Sequence, residues 1–470
     1  MAAAFAPDAV LAGLIVLPLA AALATLVAPR AACAAAVAAA VANLALVAIA
    51  YRTIGGEIQI AGWPVPLGIG LRLDGIAWIF LAFSALVFAL AALAGRTTLA
   101  RDGAATLWTT LLAGVNAIYL GADLFNLFVG LEVVSLSAVA LTAIGGGAAA
   151  ASAALRYLFV GLGGGLLYLM AVAVFYRAAG TLDIALIAQA KLQGAALAAP
   201  LALATAGLLL KSGAAPFHFW LPPAHGNAAS AVSAVLSAVV VKTGLYLLFR
   251  MWIDVAPEPA LSQAAPLFWA LSVAGMVTGG AGALRAARVK TLIAYSTVAQ
   301  ISYMVLALGF AAAASGAAVA FAAFAAAHAL AKSGLFIAAG LITRANGHDE
   351  VSRLADPGAA YGPTKIAVAI SAGVLAGLPP TAGFFAKWTL MQEAAAAGAW
   401  WVAPALVAGG LLTAAYMSRL AAALMRNPPG DRPTEETGSL QGWSALALSV
   451  SGLVLGFLGA PLAGLVEAGP

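Results

Sequence analysis

Apolar stretches recur along the whole chain, separated by short polar breaks. Each runs for about 20 residues, the length that an α-helix needs to cross the hydrocarbon core of a bilayer. Hydrophobic residues make up 64% of the sequence and charged residues 8%. Soluble domains carry about 25% charged residues, and a soluble chain of this size could not enclose so much apolar surface. The sequence therefore predicts an all-α polytopic membrane protein.

Fourteen membrane spans are predicted from these stretches. Their expected starts are Ala9, Ala31, Gly75, Ala104, Asp123, Ala153, Ala198, Ala228, Pro266, Val289, Ala312, Thr364, Trp401 and Trp443. The first stretch has no basic segment before it, which favours a retained span over a cleaved signal. Residues 58–75 alternate in polarity and contain Gly and Pro, which predicts an extended, hairpin-like loop. The longest polar break towards the C-terminus is 426–442.

The distribution of loop charges predicts the orientation. Loops are numbered from the N-terminus. The odd loops carry Arg30, Arg96, Arg101, Arg156, Arg285, Arg288, Lys290, Arg344, Arg353, Lys365, Arg426 and Arg432, and the even loops carry Arg52, Arg72, Arg177, Lys191 and Arg250. Basic residues favour the cytoplasmic side. The odd loops are therefore expected in the cytoplasm of an inner (plasma) membrane, with both termini outside.

Cofactor chemistry finds little support in the sequence. A single cysteine, Cys33, excludes an iron–sulfur cluster held by this chain alone, which takes about four thiolates, and it excludes an intramolecular disulfide. The four histidines form no metal-binding motif, so we expect no metal and no cofactor. The net charge of +5 comes mainly from loop arginines, which determine topology and do not indicate nucleic-acid binding.

Five ionisable residues fall inside the predicted spans: Glu132, Lys211, Lys242, Lys332 and Lys387. Facing lipid, each would cost roughly 2.5–3.5 kcal/mol on an insertion scale, so each is expected to face the bundle interior or water. Four lysines against one carboxylate is an unusual ratio for structural ion pairs, because each buried charge needs a partner. A buried lysine that is neutral part of the time can accept and release a proton. The set predicts a proton relay; pairing with neighbouring subunits or snorkelling to an interface is the alternative.

Helix breaks accompany two of these lysines. Gly213 and Pro216 follow Lys211, and Pro379 and Pro380 precede Lys387. Proline lacks a backbone donor and frees a carbonyl in the preceding turn. Broken helices are tolerated at membrane depth where protein or water lines them, and they mark ion sites in transporters. The alternative is a simple packing kink.

Histidines add to the pattern. His328 and Lys332 are four residues apart and share one helix face. His218 and His225 flank a WLPP sequence after the first break and could form a channel entry or exit; each could instead cap a helix or bond a carbonyl. The GLGGGL segment at 161–166 lies within a span and is expected to allow close helix packing.

Three sequence segments resemble one family. KSGAAPFHFWLPPAH, KTLIAYSTVAQISYM and GLPPTAGFFAKW occur in this order and spacing. Together they resemble the antiporter-like subunits shared by respiratory complex I, group 4 membrane-bound hydrogenases and Mrp-type cation/proton antiporters, over nearly the whole chain. DLFNLFVGLE and YSTVAQISYM look most similar to the D subunit of the Mrp antiporters.

The resemblance implies fourteen helices, two inverted five-helix repeats at about 104–252 and 265–425, and broken helices 7 and 12. The family's relay residues map to Glu132, Lys211, Lys242, His328, Lys332 and Lys387. These are the positions that the charge argument selects independently.

The expected function is a proton-translocating subunit of a multisubunit sodium (or other monovalent cation)/proton antiporter, embedded in the bilayer beside other hydrophobic subunits. The alternative is a proton-pumping membrane-arm subunit of an NADH:quinone oxidoreductase or a membrane-bound hydrogenase, in which the enzyme activity belongs to the assembly. A structural scaffold without transport is the third possibility. It is disfavoured because such a scaffold should lose its costly buried charges.

Overall fold

The computed structural model describes residues 7–312, 316–427 and 439–467, and this part of the chain is almost entirely helical. The helices are α1 Pro7–Val27, α2 Ala32–Ala50, α3 Gly75–Ala94, α4 Arg96–Leu99, α5 Ala104–Leu120, α6 Leu124–Ala143, α7 Gly147–Ala179, α8 Ile184–Gln189, α9 Ala195–Ser212, α10 Leu221–Asn227, α11 Ser230–Val235, α12 Val241–Arg250, α13 Glu258–Arg285, α14 Val289–Leu308, α15 Gly316–Asn346, α16 Gly362–Ala376, α17 Ala382–Ala396, α18 Val402–Ala423, α19 Ser439–Val454 and α20 Gly459–Glu467. Most of the predicted polar break at 426–442, with Arg432, lies outside the described residues.

The membrane-spanning architecture predicted from sequence is confirmed. Within the described residues, 13 helices are long and apolar enough to cross a membrane, and the shorter apolar α5 supplies the fourteenth predicted span. The largest differences are two earlier starts: α7 begins at Gly147 and α13 at Glu258. Alanine-rich sequence extends α7, and α13 can begin near Pro259 because proline is tolerated in the first turn of a helix.

Both predicted helix breaks are present. The α9 helix ends at Gly213, which has a left-handed backbone with φ of 65°, and helix resumes at α10. The α16 helix ends in the same way at Gly377, with φ of 79°, and helix resumes at α17. Left-handed C-terminal positions favour glycine because it has no Cβ. Two π-helical segments, 236–240 and 251–255, also flank α12 and are not predicted from sequence.

Odd-numbered and even-numbered loops lie at opposite ends of the bundle, because each span crosses it once. The segment predicted as a hairpin contains strands β1 Gly56–Gln59 and β2 Gly70–Leu73, which pair antiparallel. It lines one cavity together with Gly121, Asp183 and Asp254 from other even-numbered connections. A second, smaller cavity gathers Arg101, Lys290, Arg344 and other residues near odd-numbered connections. We call these two ends of the bundle the even-loop face and the odd-loop face.

Several charges assigned to loops from sequence lie inside helices. Arg156 and Arg177 belong to α7, and Lys290 lies in the first turn of α14. Arg250 ends α12 and is buried among carboxylates. Its assignment to an even-numbered loop is wrong, because the helix continues through 251–255 as a π-helical turn and keeps Arg250 within the bundle.

The centre of the bundle includes the two spans that carry half of the predicted relay residues, Lys242, His328 and Lys332. The apolar windows of Ser230–Val255, Gly316–Asn346 and Val289–Leu308 are 100%, 94% and 89% buried, whereas that of Pro7–Val27 is 33% buried. Lys242, His328 and Lys332 therefore sit where hydration is scarcest, and their positions are held by helices packed on every side.

Close contact between α7 and α9 depends on glycine, as the GLGGGL segment predicts. A Cβ added to Gly207 on α9 would lie 2.5 Å from the carbonyl oxygen of Gly164 on α7. Gly163, one residue away on α7, has no such neighbour within 4 Å. The approach of these backbones brings Lys211 on α9 towards α6, which packs on the same helix α7.

We expect Gly207→Ala to lower the free energy of unfolding by about 1–3 kcal/mol, the usual penalty for overpacking, because the added methyl group meets backbone. Gly163→Ala is the matched control and should be neutral or slightly stabilising, since alanine favours helix. The temperature at which the purified protein loses its monodisperse size-exclusion peak measures both. Equal temperatures for the two variants would contradict the packing argument.

Candidate functional site

The first element of the site is an ion pair between α6 and α9. Lys211 Nζ lies 2.8 Å from Glu132 Oε1 and 2.9 Å from Ser135 Oγ. The Lys211 side chain is 4% exposed and that of Glu132 is 21% exposed. The carboxylate therefore reaches the surface of the bundle, beside the exposed apolar side chains of Val129 and Leu136 on α6. The pair joins residues 79 positions apart, and it is the pairing that the family resemblance implies.

The second element is a contact between a lysine and a histidine. Lys242 Nζ lies 2.6 Å from His328 Nδ1 and donates to the carbonyl of Ser237 at 3.0 Å. Both side chains are buried, and Lys242 forms no ion pair with a carboxylate in the described part of the chain. A lysine–imidazole hydrogen bond can form with either group carrying a proton, but not with both fully charged, because two donors would then face each other. The contact therefore suits a single shared proton.

Lys332 lies on α15 and is fully buried. Its Nζ donates to the carbonyl of Ile293 at 2.6 Å and to Ser296 Oγ, both on α14. Its partners are neutral, and among residues 7–312, 316–427 and 439–467 no carboxylate pairs with it. Neutral oxygens solvate an ammonium without cancelling its charge. This environment therefore allows the Lys332 ammonium to lose its proton, whereas a salt bridge would oppose that loss.

The second break supplies acceptors to the relay. In a continuous helix the carbonyls of Leu375 and Ala376 would accept from the N–H groups of residues 379 and 380, which are both proline and have none. Gln300 Nε2 donates to Leu375 O at 3.1 Å, and Lys387 Nζ donates to Ala376 O at 2.7 Å. The two prolines thus create the acceptors that hold these two side chains.

Lys387 also lies over an aromatic ring. Its Nζ is 4.9 Å from the ring centroid of Tyr303, which α14 places one turn after Gln300. A tyrosine face attracts a cation through its quadrupole. The ammonium of Lys387 is thus stabilised by a carbonyl dipole and a ring and, as for Lys332, the described residues provide no carboxylate ion pair.

The two further histidines occupy different settings. His225 is buried, its ring stacks on Phe336 at 5.2 Å, and it lies within electrostatic range of Lys332, Lys242 and Lys290. His218 is partly exposed and its ring faces Tyr295 at 6.3 Å. In both, Nδ1 has no hydrogen-bond partner within the described residues. The structure therefore places His225 within range of the central lysines and His218 beside Tyr295.

The predicted residues fall into three groups. Glu132 with Lys211 is the first, Lys242 with His328 and Lys332 is the second, and Lys387 with the freed carbonyls is the third. Gln300 links the second to the third, because it follows Ser296 by one helical turn on α14 and also approaches Thr413 Oγ1 at 3.4 Å. No hydrogen bond between described residues joins the first group to the second, so a water molecule would be needed there.

Sequence reasoning missed two sets of residues. Gln300 and Ser296 are uncharged and do not stand out by insertion cost, although a glutamine within an apolar span is a usable signal. The second set is a buried ion cluster near the even-loop face, formed by Arg72, Asp74, Arg250 and Asp254. Here the signal was the spacing of Arg250 and Asp254 at i and i+4, which places both on one helix face.

Comparisons with known proteins identify the family of the chain. A family model described as NADH:quinone oxidoreductase/Mrp antiporter, TM, matches residues 121–413. The chain is 35% identical over 390 residues to the N subunit of the NADH-quinone oxidoreductase of Desulforudis audaxviator, covering 80% of this chain and 77% of that protein. It is 27% identical over 371 residues to the D subunit of the Na(+)/H(+) antiporter of Alkalihalophilus pseudofirmus, covering 77% of this chain and 74% of that protein.

A solved structure shares the fold. A chain of the Mrp complex from Dietzia sp. matches with a TM-score of 0.91 and 24% identity, over 98% of this chain and 96% of that chain. The family resemblance found in the sequence motifs is confirmed by these matches. They are divided between the antiporter and the oxidoreductase branches, so the similarity to the Mrp antiporters does not by itself select one branch.

If Gln300 carries the relay between α14 and the second break, Gln300→Leu should slow proton transport about tenfold, as expected when a buried hydrogen bond on the path is lost. Gln263→Leu removes an exposed glutamine from α13 and is the matched control. Acidification of membrane vesicles that contain the assembled protein gives both rates. Equal rates for the two variants would remove Gln300 from the path.

Proposed function

Because the chain belongs to the NADH:quinone oxidoreductase/Mrp antiporter family of membrane subunits, we propose that its buried lysines and histidines carry protons across the membrane in exchange for a monovalent cation. The chain is an antiporter-like, proton-translocating membrane subunit. The observation that carries the proposal is the line of ammonium groups at Lys242 and Lys332, which are buried, and at Lys387, which is half-buried; each is held by neutral acceptors.

Glu132 and Lys211 act as the switch in this proposal. Two unit charges 4 Å apart interact by about 4 kcal/mol at an effective dielectric of about 20. The pair lies at 2.8 Å, so the carboxylate strongly favours the protonated lysine. Any movement that separates the pair removes this stabilisation, and Lys211 can then release its proton towards Lys242. Water completes the step between the two groups.

From Lys242 the proton continues along the bundle axis. The 2.6 Å contact with His328 allows transfer within one hydrogen bond. Lys332, four residues further on α15, receives the proton next, and Ser296 and Gln300 lead to Lys387. At Lys387 the proton leaves for the bulk phase or for a neighbouring subunit. His225 and His218 offer an exchange path towards the odd-loop face.

Two structural parallels support the two repeats, at about 104–252 and 265–425. An isolated bridge joins Asp123, before α6, to Asp183, after α7; another joins Arg288, before α14, to Glu350, after α15. The α9 and α16 helices then end in the same left-handed glycine conformation. The positive-inside rule further supports an orientation with the odd-loop face in the cytoplasm and both termini outside.

Other membrane subunits are the expected partners. The Glu132 carboxylate is partly exposed on an apolar surface, where a neighbouring subunit or lipid must cover it. In an antiporter the neighbours would be hydrophobic subunits, and the exchanged ion sodium or another monovalent cation. The Alkalihalophilus pseudofirmus relative named as part of an Na(+)/H(+) antiporter supports this assignment.

A second candidate is supported by a specific observation. The 35% identity to an NADH-quinone oxidoreductase subunit favours a proton pump driven by electron transfer in other subunits. Mild purification of the tagged chain followed by mass spectrometry separates the two. Small hydrophobic subunits alone support the antiporter. Soluble flavin- or iron–sulfur-containing subunits would replace it with the redox-driven pump.

Removing one partner of the ion pair should affect both stability and transport. Glu132→Gln and Lys211→Met each leave one uncompensated charge, which costs about 3–5 kcal/mol when the pair is buried. Transport should be abolished in each. The double variant should regain thermal stability, because no unpaired charge remains, but it should not regain transport.

Vesicle transport and thermal unfolding of the same preparations test this expectation. Recovery of transport in the double variant would mean that the pair is structural. Near-normal transport in either single variant would also defeat the proposed switch.

The third group can be tested by exchanging one titratable group for another. Lys387→Glu should keep part of the transport, because a group that binds and releases protons remains, whereas Lys387→Ala should lose it. Lys365→Ala removes a more exposed lysine from α16 that pairs with Asp356, and is the control. Equal transport in Lys387→Glu and Lys387→Ala would show that titration at this position is not required.

A further inference from the structure

The α12 helix carries a second line of polar groups that the proposed relay does not use. Lys242, Tyr246, Arg250 and Asp254 follow one another at intervals of four residues. Side chains at this spacing share one helix face. At a rise of 1.5 Å per residue, the line covers about 18 Å, more than half the thickness of a bilayer core. It leads from the central lysine to the even-loop face.

Hydrogen bonds join the outer part of this line. Arg250 Nε donates to Tyr246 Oη at 3.1 Å, and Tyr246 Oη donates to the carbonyl of Tyr119 at 2.9 Å. Arg250 also pairs with Asp74 and, at 3.5 Å, with Asp254. Arg72 lies 3.4 Å from both carboxylates. Two arginines and two aspartates thus form one buried network.

This network borders a cavity of about 640 Å³ on the even-loop face. The cavity is lined by Tyr119, Tyr246, Arg250 and Asp254, and by further carboxylates at Asp8, Glu57 and Asp183. Its volume and charged lining suit water, which needs several polar partners. The cavity therefore brings a hydrated space to within one helical turn of the central lysine on α12.

Buried polar atoms with unfilled hydrogen-bonding capacity lie near the cavity. Tyr119 Oη and Ser84 Oγ are buried and lie near each other, with no further hydrogen-bond partner within the described residues, and His328 Nε2 has none. Buried polar groups with few partners are uncommon in native proteins and indicate a place for water. Ser84 follows Phe80 by one turn on α3.

Phe80 packs against the two tyrosines that border the cavity. It is fully buried, and its ring lies 5.3 Å from Tyr119, 5.0 Å from Tyr246 and 5.9 Å from Phe321 of α15. An apolar ring in a narrow passage excludes water, and such constrictions gate channels by dewetting. The polar line is therefore interrupted at one aromatic residue.

We propose that α12 forms a separate proton path between the Lys242–His328 pair and the even-loop face, closed in this structure by Phe80 and by the hydrogen bond from Arg250 to Tyr246. Asp254 and Asp74 exchange protons with the cavity, Arg250 stays charged and positions Tyr246, and the Tyr246 hydroxyl passes the proton inward through water. The path rests on the proposed function, because it needs Lys242 to carry protons.

Cysteine accessibility tests the path without measuring transport. In membrane vesicles that hold the complete assembly, Cys33→Ser removes the native thiol. A membrane-impermeant methanethiosulfonate reagent applied from the even-loop face should label Ala122→Cys, which lines the cavity, but not Ser84→Cys. Adding Phe80→Ala should change Ser84→Cys from unlabelled to labelled. Phe88→Ala on the same helix, next to Trp108, is the control and should leave it unlabelled.

Transport gives the second readout. Tyr246→Phe should slow proton transport about tenfold, because the path loses its one hydroxyl group between Arg250 and the central lysine. Tyr168→Phe removes a buried phenol hydroxyl of α7 that bonds the carbonyl of Leu124, and should transport normally.

The outcomes separate the two proposals. The path is overturned if Ser84→Cys stays unlabelled in the presence of Phe80→Ala while Ala122→Cys is labelled. It is also overturned if Tyr246→Phe and Tyr168→Phe transport protons at equal rates. In both cases the proposed function still stands. If the unaltered assembly transports no protons at all, the proposed function fails, and labelling that opens with Phe80→Ala then supports only a gated water passage.

Discussion

The cost of holding positive charge away from water governs this structure. Lys242 and Lys332 are fully buried and are surrounded by carbonyls, a hydroxyl and an imidazole. Such partners hold an ammonium in place but do not neutralise it, so the neutral amine remains accessible. Only Lys211 has a carboxylate partner among the relay lysines in the described chain. This asymmetry between one paired and several unpaired lysines is the physical basis of a switch followed by a relay.

Backbone chemistry supplies what side-chain charges do not. The prolines of the second break withhold two N–H groups, and the carbonyls of Leu375 and Ala376 become ligands for Gln300 and Lys387. At the first break, the indole of Trp220 donates to the carbonyl of Leu210 at 3.0 Å. A broken helix therefore presents polar acceptors at membrane depth while its neighbours keep lipid away. Helix ends used in this way need no additional charged residue.

The number of spans and the identity of the buried charges were predictable, because both depend on apolar run length and insertion cost. The breaks were predictable from proline chemistry. The Lys242–His328 contact was not, since it joins residues far apart in sequence. Arg250 was wrongly assigned to a loop because it lies close in sequence to the next polar break. The π-helical turn at 251–255 keeps it inside the bundle. Neutral residues of the site, such as Gln300, cost too little free energy on membrane insertion to stand out in the sequence.

The central claim is that Lys242 and Lys332 act by gaining and losing a proton, and not by contributing a fixed charge. Arginine keeps the charge but does not deprotonate in proteins. Proton transport should therefore be measured in vesicles that contain Lys242→Arg, Lys332→Arg or the unaltered chain, each with assembly verified by native electrophoresis. We expect both arginine variants to assemble and to lose transport. Transport near the unaltered rate in either variant would contradict the claim, because a permanent charge would then be sufficient at that position.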